Sequence, residues 1–161
     1  MGGAGRPTNS TKVIGALMSA ESWPSGLLVK RYSVSKMTMN DDNCLLSVCS
    51  FNCRSLKLNE IVISDLCSHH DIVLLQEHWL MPHELYMLNQ IHSDFSGTGI
   101  SAIDTSLDVV CGRPYGCTAI LFRKSIATNI SIVASNNRRI TGIDITTSSG
   151  TVQLLNVILA M

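Results

Sequence analysis

The chain has 161 residues, 45% of them hydrophobic and 15% charged, with a formal net charge of zero. That length holds one domain with apolar material for a core and leaves little room for a second. A neutral total lends no support to a stand-alone nucleic-acid binder, which shows a basic excess or patch, and low charge with high apolarity predicts poor solubility of the chain alone.

Residues 1–43 read as a flexible leader. Gly2, Gly3, Gly5 and Pro7 open it, and no sustained periodicity follows. The apolar patch Val13–Ala20 is too short to cross a bilayer and makes a poor signal-peptide core. Arg6 stands where myristoylation after Gly2 needs Ser or Thr. The expected location is intracellular, nuclear or cytoplasmic, with no membrane association. Six cysteines (Cys44, Cys49, Cys53, Cys67, Cys111, Cys117) form no CxxC pair, and the five histidines form no HxxxH or HExxH. The expectation is six free thiols in a reducing compartment and no zinc site.

The central stretch runs from Leu45 to Leu80. Leu45, Leu46, Val48 and Phe51 make a short apolar run that ends in Asn52-Cys53-Arg54. Leu58, Ile61, Val62 and Leu66 recur at helical spacing, and Ile72–Leu75 forms a second apolar run that ends in Gln76-Glu77-His78. Strand, helix and strand in that order predict parallel strands joined by a right-handed crossover. Asn52 and Glu77 then fall at one rim of the sheet, where open α/β sheets bind ligands. A carboxylate beside an amide offers oxygen ligands suited to Mg²⁺, which keeps several waters and needs few protein groups.

Beyond it, Pro82 to about Ile91 predicts a helix with Leu85, Leu88 and Ile91 on one face. Ser93–Gly112 reads as a long loop carrying His92 just before it and Asp94, Asp104 and Asp108 within it. Gly112–Gly116 (GRPYG) is a turn. Cys117–Phe122, Ile130–Ala134, Arg138–Ile145 and Thr151–Leu159 read as four strands. Ile140, Ile143 and Ile145 break strict alternation, which predicts a strand buried on both faces or a bulge. Arg138-Arg139 is the paired basic feature of this half, either a phosphate contact or a solvated strand start.

SFNCRSL followed by DIVLLQEHWL, then GRPYGCTAILFRK, NRRITGIDI and LLNV in the same order, resembles the endonuclease/exonuclease/phosphatase superfamily. Within it, the chain is most similar to the endonuclease domain that precedes reverse transcriptase in non-LTR (LINE-type) retrotransposons. The resemblance covers roughly Cys44 to Val157. It implies a divalent-metal-dependent phosphodiester hydrolase that nicks DNA, with Asn52 and Glu77 as active-site residues and both as candidate ligands for Mg²⁺ or Mn²⁺. It also implies an α/β fold, one half of the family's four-layer α/β sandwich, occupying residues 44–161 with the C-terminal half missing. The family's Tyr after the last strand has no match here, since Asn156-Val157 leads into Ile158-Leu159. Its Asp-x-Asn and Asp-His pairs have none either. The expectation is a truncated domain with DNA as the partner of its full-length ancestor and little or no activity of its own. The alternative is a non-catalytic relic that self-associates or binds a protein through an exposed sheet, because the chain is expected to supply about one sheet.

Overall fold

The computed structural model describes residues 12–18, 30–33, 46–103, 116–148 and 150–158, the first two stretches by their backbone alone. Among the described residues, nine strands, one α-helix and two 3-10 helices follow in chain order: β1 (Lys12–Met18), β2 (Lys30–Ser33), β3 (Ser47–Asn52), α1 (Glu60–His69), β4 (Ile72–Gln76), a 3-10 helix (Pro82–Asn89), β5 (Phe95–Ile100), β6 (Thr118–Arg123), a second 3-10 helix (Lys124–Asn129), β7 (Ile130–Val133), β8 (Ile140–Thr147) and β9 (Gly150–Ile158). They build a mixed α/β fold with two sheets, one of order β2-β3-β4-β6-β5 and one of order β1-β9-β8-β7.

The strand-helix-strand unit forms as the apolar runs require. β3 and β4 pair in parallel, Val48 opposite Ile72 and Asn52 opposite Gln76, with α1 as the crossover. All five residues of β4 are buried because a central strand is covered on both faces. Side chains alternate across the sheet. One face presents Cys49, Phe51, Val73, Leu75, Ala119 and Leu121 to α1 and the first 3-10 helix, where Ile63, Leu66, Cys67, Leu88 and Ile91 close the layer. The other face presents Val48, Ile72, Leu74, Ile120 and Phe122 to Ile143, Ile145 and Leu154 of the second sheet.

That second sheet corrects the expectation of one sheet with a bare inner face. β7, β8 and β9 do not extend the first sheet; they fold across it and bury the face that was expected to lie open. Residues 1–43, read as a leader, supply β1, parallel to β9, and β2, antiparallel to β3; the rest of that stretch lies outside the described residues.

Two further readings change. Phe95–Ile100, read as part of a loop, is β5, antiparallel to β6 at the edge of the five-stranded sheet. Its Ser, Thr and two glycines conceal a strand that needs small residues, because Cβ atoms on Gly97 and Gly99 would stand 2.8 and 2.9 Å from Leu88 side-chain atoms. Asp104, Asp108 and residues 112–115 of the predicted turn lie outside the described residues. In α1 the buried face is Ile63, Leu66 and Cys67, while Ile61 is 87% exposed and Leu58, which precedes the helix, is 82% exposed. Of the two alternatives for β8, burial on both faces holds: Thr141, Gly142 and Ile143 are buried in succession, and the pairing with β9 runs unbroken from Ile140 to Thr147 with no bulge. No helix among the described residues is long and apolar enough to cross a membrane.

Candidate functional site

The parallel strands β3 and β4 end at the same rim, and their tails keep running side by side. Cys53 N–H donates to the Gln76 carbonyl, Ser55 N–H to that of Glu77 and Leu56 N–H to that of His78, each at 2.9 Å. Glu77 N–H donates to the Cys117 carbonyl at 2.9 Å, so β6 holds the rim from the other side. Holding this path forces unusual backbone. Arg54, Ser55, Glu77 and Trp79 have positive φ values of 42°, 105°, 55° and 55°, in a region that side chains with a Cβ rarely enter. The side-chain amide of Asn59 fastens the first pair by donating to the carbonyls of Cys53 at 2.7 Å and Ser55 at 3.2 Å.

Asn52 closes β3 directly beside Gln76, one residue before Glu77. Its Oδ1 is buried and accepts no hydrogen bond. An amide oxygen removed from water without a donor costs roughly 1–3 kcal/mol, so its environment is one that a bound group would complete. The Glu77 carboxylate lies close enough to two thiols to help raise both. Cys53 is pushed up to about 12, chiefly by burial and then by Cys117, and Cys117 to about 11, chiefly by burial. Cys49, Cys53, Cys67 and Cys117 are buried and joined in no disulfide among the described residues; Cys44 and Cys111 lie outside the described residues.

Ser50, Gln76 and Thr118 share the inner face of the five-stranded sheet with Asn52, and Thr141 and Asn156 meet them from β8 and β9. Gln76 Nε2 donates to Asn156 Oδ1 at 2.6 Å and to Ser50 Oγ at 3.1 Å. Thr141 Oγ1 donates to the Thr118 carbonyl at 2.9 Å. The inter-sheet space is therefore apolar over most of its length and polar at the rim. Arg139 reaches the same end, its Nε 3.3 Å from where a Cβ on Gly116 would stand, and Gly116 has a φ of 89°. His92 belongs elsewhere, packed edge-on against the ring of Phe95, and Asp94 lies beside it.

His78 follows Glu77 but takes no part in the rim surface. It is buried, its Nδ1 accepts from Leu80 N–H at 3.0 Å, and its Nε2 faces the Ile100 carbonyl at 3.2 Å. A carbonyl can only accept, so the proton sits on Nε2. Burial lowers its pKa to about 4, against the opposing pull of the Ile100 and Thr118 carbonyls. The unfolded chain takes this proton near pH 6.5, while the folded chain resists it down to about 4. Stability is full above about pH 6.5, falls between those values, and this group costs about 3 kcal/mol in total. Urea unfolding at pH 7 and pH 4.5 measures the loss, and His78→Gln is expected to remove this part of the pH dependence.

The donors at the rim fit a hard divalent cation. They are one carboxylate and one amide oxygen, and among the described residues no group of three or more His, Cys, Asp or Glu could hold a metal. An ion held by only these two groups would keep most of its water, as Mg²⁺ does with few protein ligands. The polar partners of this end were missed from sequence. Thr118 and Thr141 read as ordinary strand residues, and Gln76 and Asn156 carried no sign that they meet.

No protein-family model matches the chain, and no curated protein matches it. Among solved structures, it is similar to the human Nocturnin catalytic domain with bound sulfate anion, at 15% identity and a TM-score of 0.34, over 79% of this chain and 52% of that one. The chain thus spans about half the length of that domain, and a likeness this distant carries no inference about activity.

Proposed function

We propose that this chain carries a metal-dependent phosphodiester hydrolase site of the retrotransposon-endonuclease type, which binds Mg²⁺ or Mn²⁺ through Glu77 and Asn52 and cleaves DNA little or not at all by itself. The observation that carries the reading is the partnerless Asn52 Oδ1 at a rim where Glu77 is held at a φ of 55°. Backbone strain of this kind persists where the surroundings over-determine it and clusters at functional sites. The motif resemblance set out above adds the chemical class.

In this reading Glu77 and Asn52 would hold the ion, which would supply Lewis-acid polarisation of a phosphoryl oxygen. Arg139, at the same end, meets a phosphate oxygen with a charge-assisted bond. Low activity is expected because, with Glu77 assigned to the ion, His78, Cys53 and Cys117 are not available as proton acceptors. His78 is buried with both nitrogens engaged, and Cys53 and Cys117 are held protonated by burial. General-base help contributes typically 10²–10⁴-fold, and its loss leaves a site that binds better than it reacts.

Glu77→Gly separates structure from function. Glycine accepts the left-handed backbone without the penalty of about 1 kcal/mol paid by a side chain, so this variant is expected to unfold at higher urea than wild type while losing divalent-ion affinity. A variant that is less stable with unchanged affinity contradicts the assignment. Mg²⁺-dependent plasmid nicking tests the low-activity claim directly, and clear nicking by the wild type that disappears in Glu77→Ala overturns it.

A second reading is a non-catalytic module that self-associates or binds a protein. Its expected surface, the inner sheet face, is covered. The exposed side chains of Leu58 and Ile61 on the outer surface are what support it now. A discrete dimer in size-exclusion chromatography that Ile61→Lys dissolves favours it, and a monomer removes the self-association form.

A further inference from the structure

Polar groups are rare between packed sheets, and Asn156 is fully buried there. Its Nδ2 donates to the carbonyls of Leu75 at 2.8 Å and Ala119 at 2.9 Å, residues that face each other across β4 and β6. Its Oδ1 accepts from Gln76 Nε2 at 2.6 Å. The amide orientation follows from these partners, because the opposite one would set its oxygen against two carbonyls. One side chain of β9 thus grips two strands of the other sheet at the residues just before Glu77. Asp at this position has no N–H for the two carbonyls, and an aliphatic side chain satisfies none of the three groups.

The apolar part of the interface resists separation of the sheets but does little to fix how one slides over the other, since dispersion and burial are not directional. The polar end supplies that registration. Gln76 passes it to Ser50, two residues before Asn52, and Thr141, the register partner of Asn156, repeats the grip on Thr118.

We propose that Asn156 is the positioning residue of the rim, the group on the four-stranded sheet that fixes where Gln76, and so Glu77, stands. The inference concerns the placement of Glu77 and rests on the proposed function only for what that placement serves. Hydrogen exchange followed by NMR tests it through the Glu77 amide, which is bonded to the Cys117 carbonyl, against the amide of Val73 in the middle of β4. In Asn156→Leu the Glu77 amide is expected to exchange at least about 10-fold faster relative to Val73 than in wild type, a local opening of about 1.4 kcal/mol. Leu154→Ala, on the same strand and face, is the control. It weakens the sandwich through a purely apolar contact and is expected to lower the urea midpoint without changing that ratio. If Asn156→Leu does not fold, Gln76→Met removes the 2.6 Å link from the other side and reads the same amide. An unchanged ratio in the variant that folds, or an equal change in Leu154→Ala, overturns the proposal. Mn²⁺ titration of the same samples keeps the two claims apart. A loosened Glu77 amide in a protein whose wild type binds no Mn²⁺ upholds the positioning role and removes the metal reading; a wild type that binds Mn²⁺ with an Asn156→Leu amide ratio unchanged does the reverse.

Discussion

Arg123→Ala is expected to lower the unfolding free energy by about 3 kcal/mol, because it leaves three part-buried acceptors without their charged donor. Arg123 closes β6 and turns back over the C-terminal end of α1. Its NH2 group donates to the carbonyls of Cys67 at 3.1 Å and His70 at 2.9 Å, and its Nε to Asp71 Oδ1 at 3.2 Å. The guanidinium stands 5.0 Å from the centre of the Phe95 ring. Asp71 in turn accepts from the N–H and the hydroxyl of Ser47, each at 2.9 Å. One cation therefore joins the end of the crossover helix, the start of β3 and the end of β6. The carbonyls of a helix's last turn have no partners of their own and favour a positive charge. Arg123→Lys is expected to recover less than half of the loss, since an ammonium cannot serve three acceptors spread along a planar fork. Urea unfolding of the two variants measures both numbers, and a loss below about 1 kcal/mol for Arg123→Ala contradicts this account of the corner.

Gly97→Val is expected to cost about 3 kcal/mol or more. A Cβ at Gly97 would lie 2.6 Å from Leu121 Cδ2, 2.8 Å from Leu88 Cβ and 3.1 Å from the Leu88 carbonyl oxygen. The first contact is the end of a side chain that can turn, but the other two belong to the 3-10 helix and its backbone. Relief requires that helix to lift from β5 and β6, which opens the layer closed by Leu88 and Ile91. Overpacking a close-packed site costs typically 1–3 kcal/mol, and more where backbone must move. Thr98→Val, one residue along and half-buried, is the matched control, and a similar stability change in both variants would show that the close approach at Gly97 is not what limits the position.

Leu45–Leu80 was legible because its signals are local. Two apolar runs of strand length flank a helical segment, and parallel pairing follows from chain geometry. The rim position of Asn52 and Glu77 followed from the same geometry. The helical segment misled because the series Leu58, Ile61, Val62 and Leu66 suggested one apolar face, while the helix begins only at Glu60 and the sheet receives Ile63, Leu66 and Cys67. β5 was illegible for a physical reason. The glycines that let Leu88 approach are the residues that also mark a loop. The second sheet was hidden because β7, β8 and β9 are as apolar as strands that extend a sheet, and nothing local says that they fold across one. The link from Gln76 to Asn156 spans 80 residues of chain, and its energy belongs to a contact that neither segment displays alone. The strained backbone of Glu77 was equally invisible, since its residue type gives no sign of a positive φ.

The central claim is that Glu77 and Asn52 form a divalent-cation site at the strand rim, and Mn²⁺ binding followed by electron paramagnetic resonance tests it most directly, with no need for catalytic activity. The wild type is expected to bind one Mn²⁺ that Mg²⁺ displaces, and Glu77→Gln, which keeps the side chain's shape and removes its charge, to weaken that binding at least about 10-fold, or about 1.4 kcal/mol. Mn²⁺ that binds equally well to wild type and Glu77→Gln, or that does not bind the wild type at all, contradicts the claim.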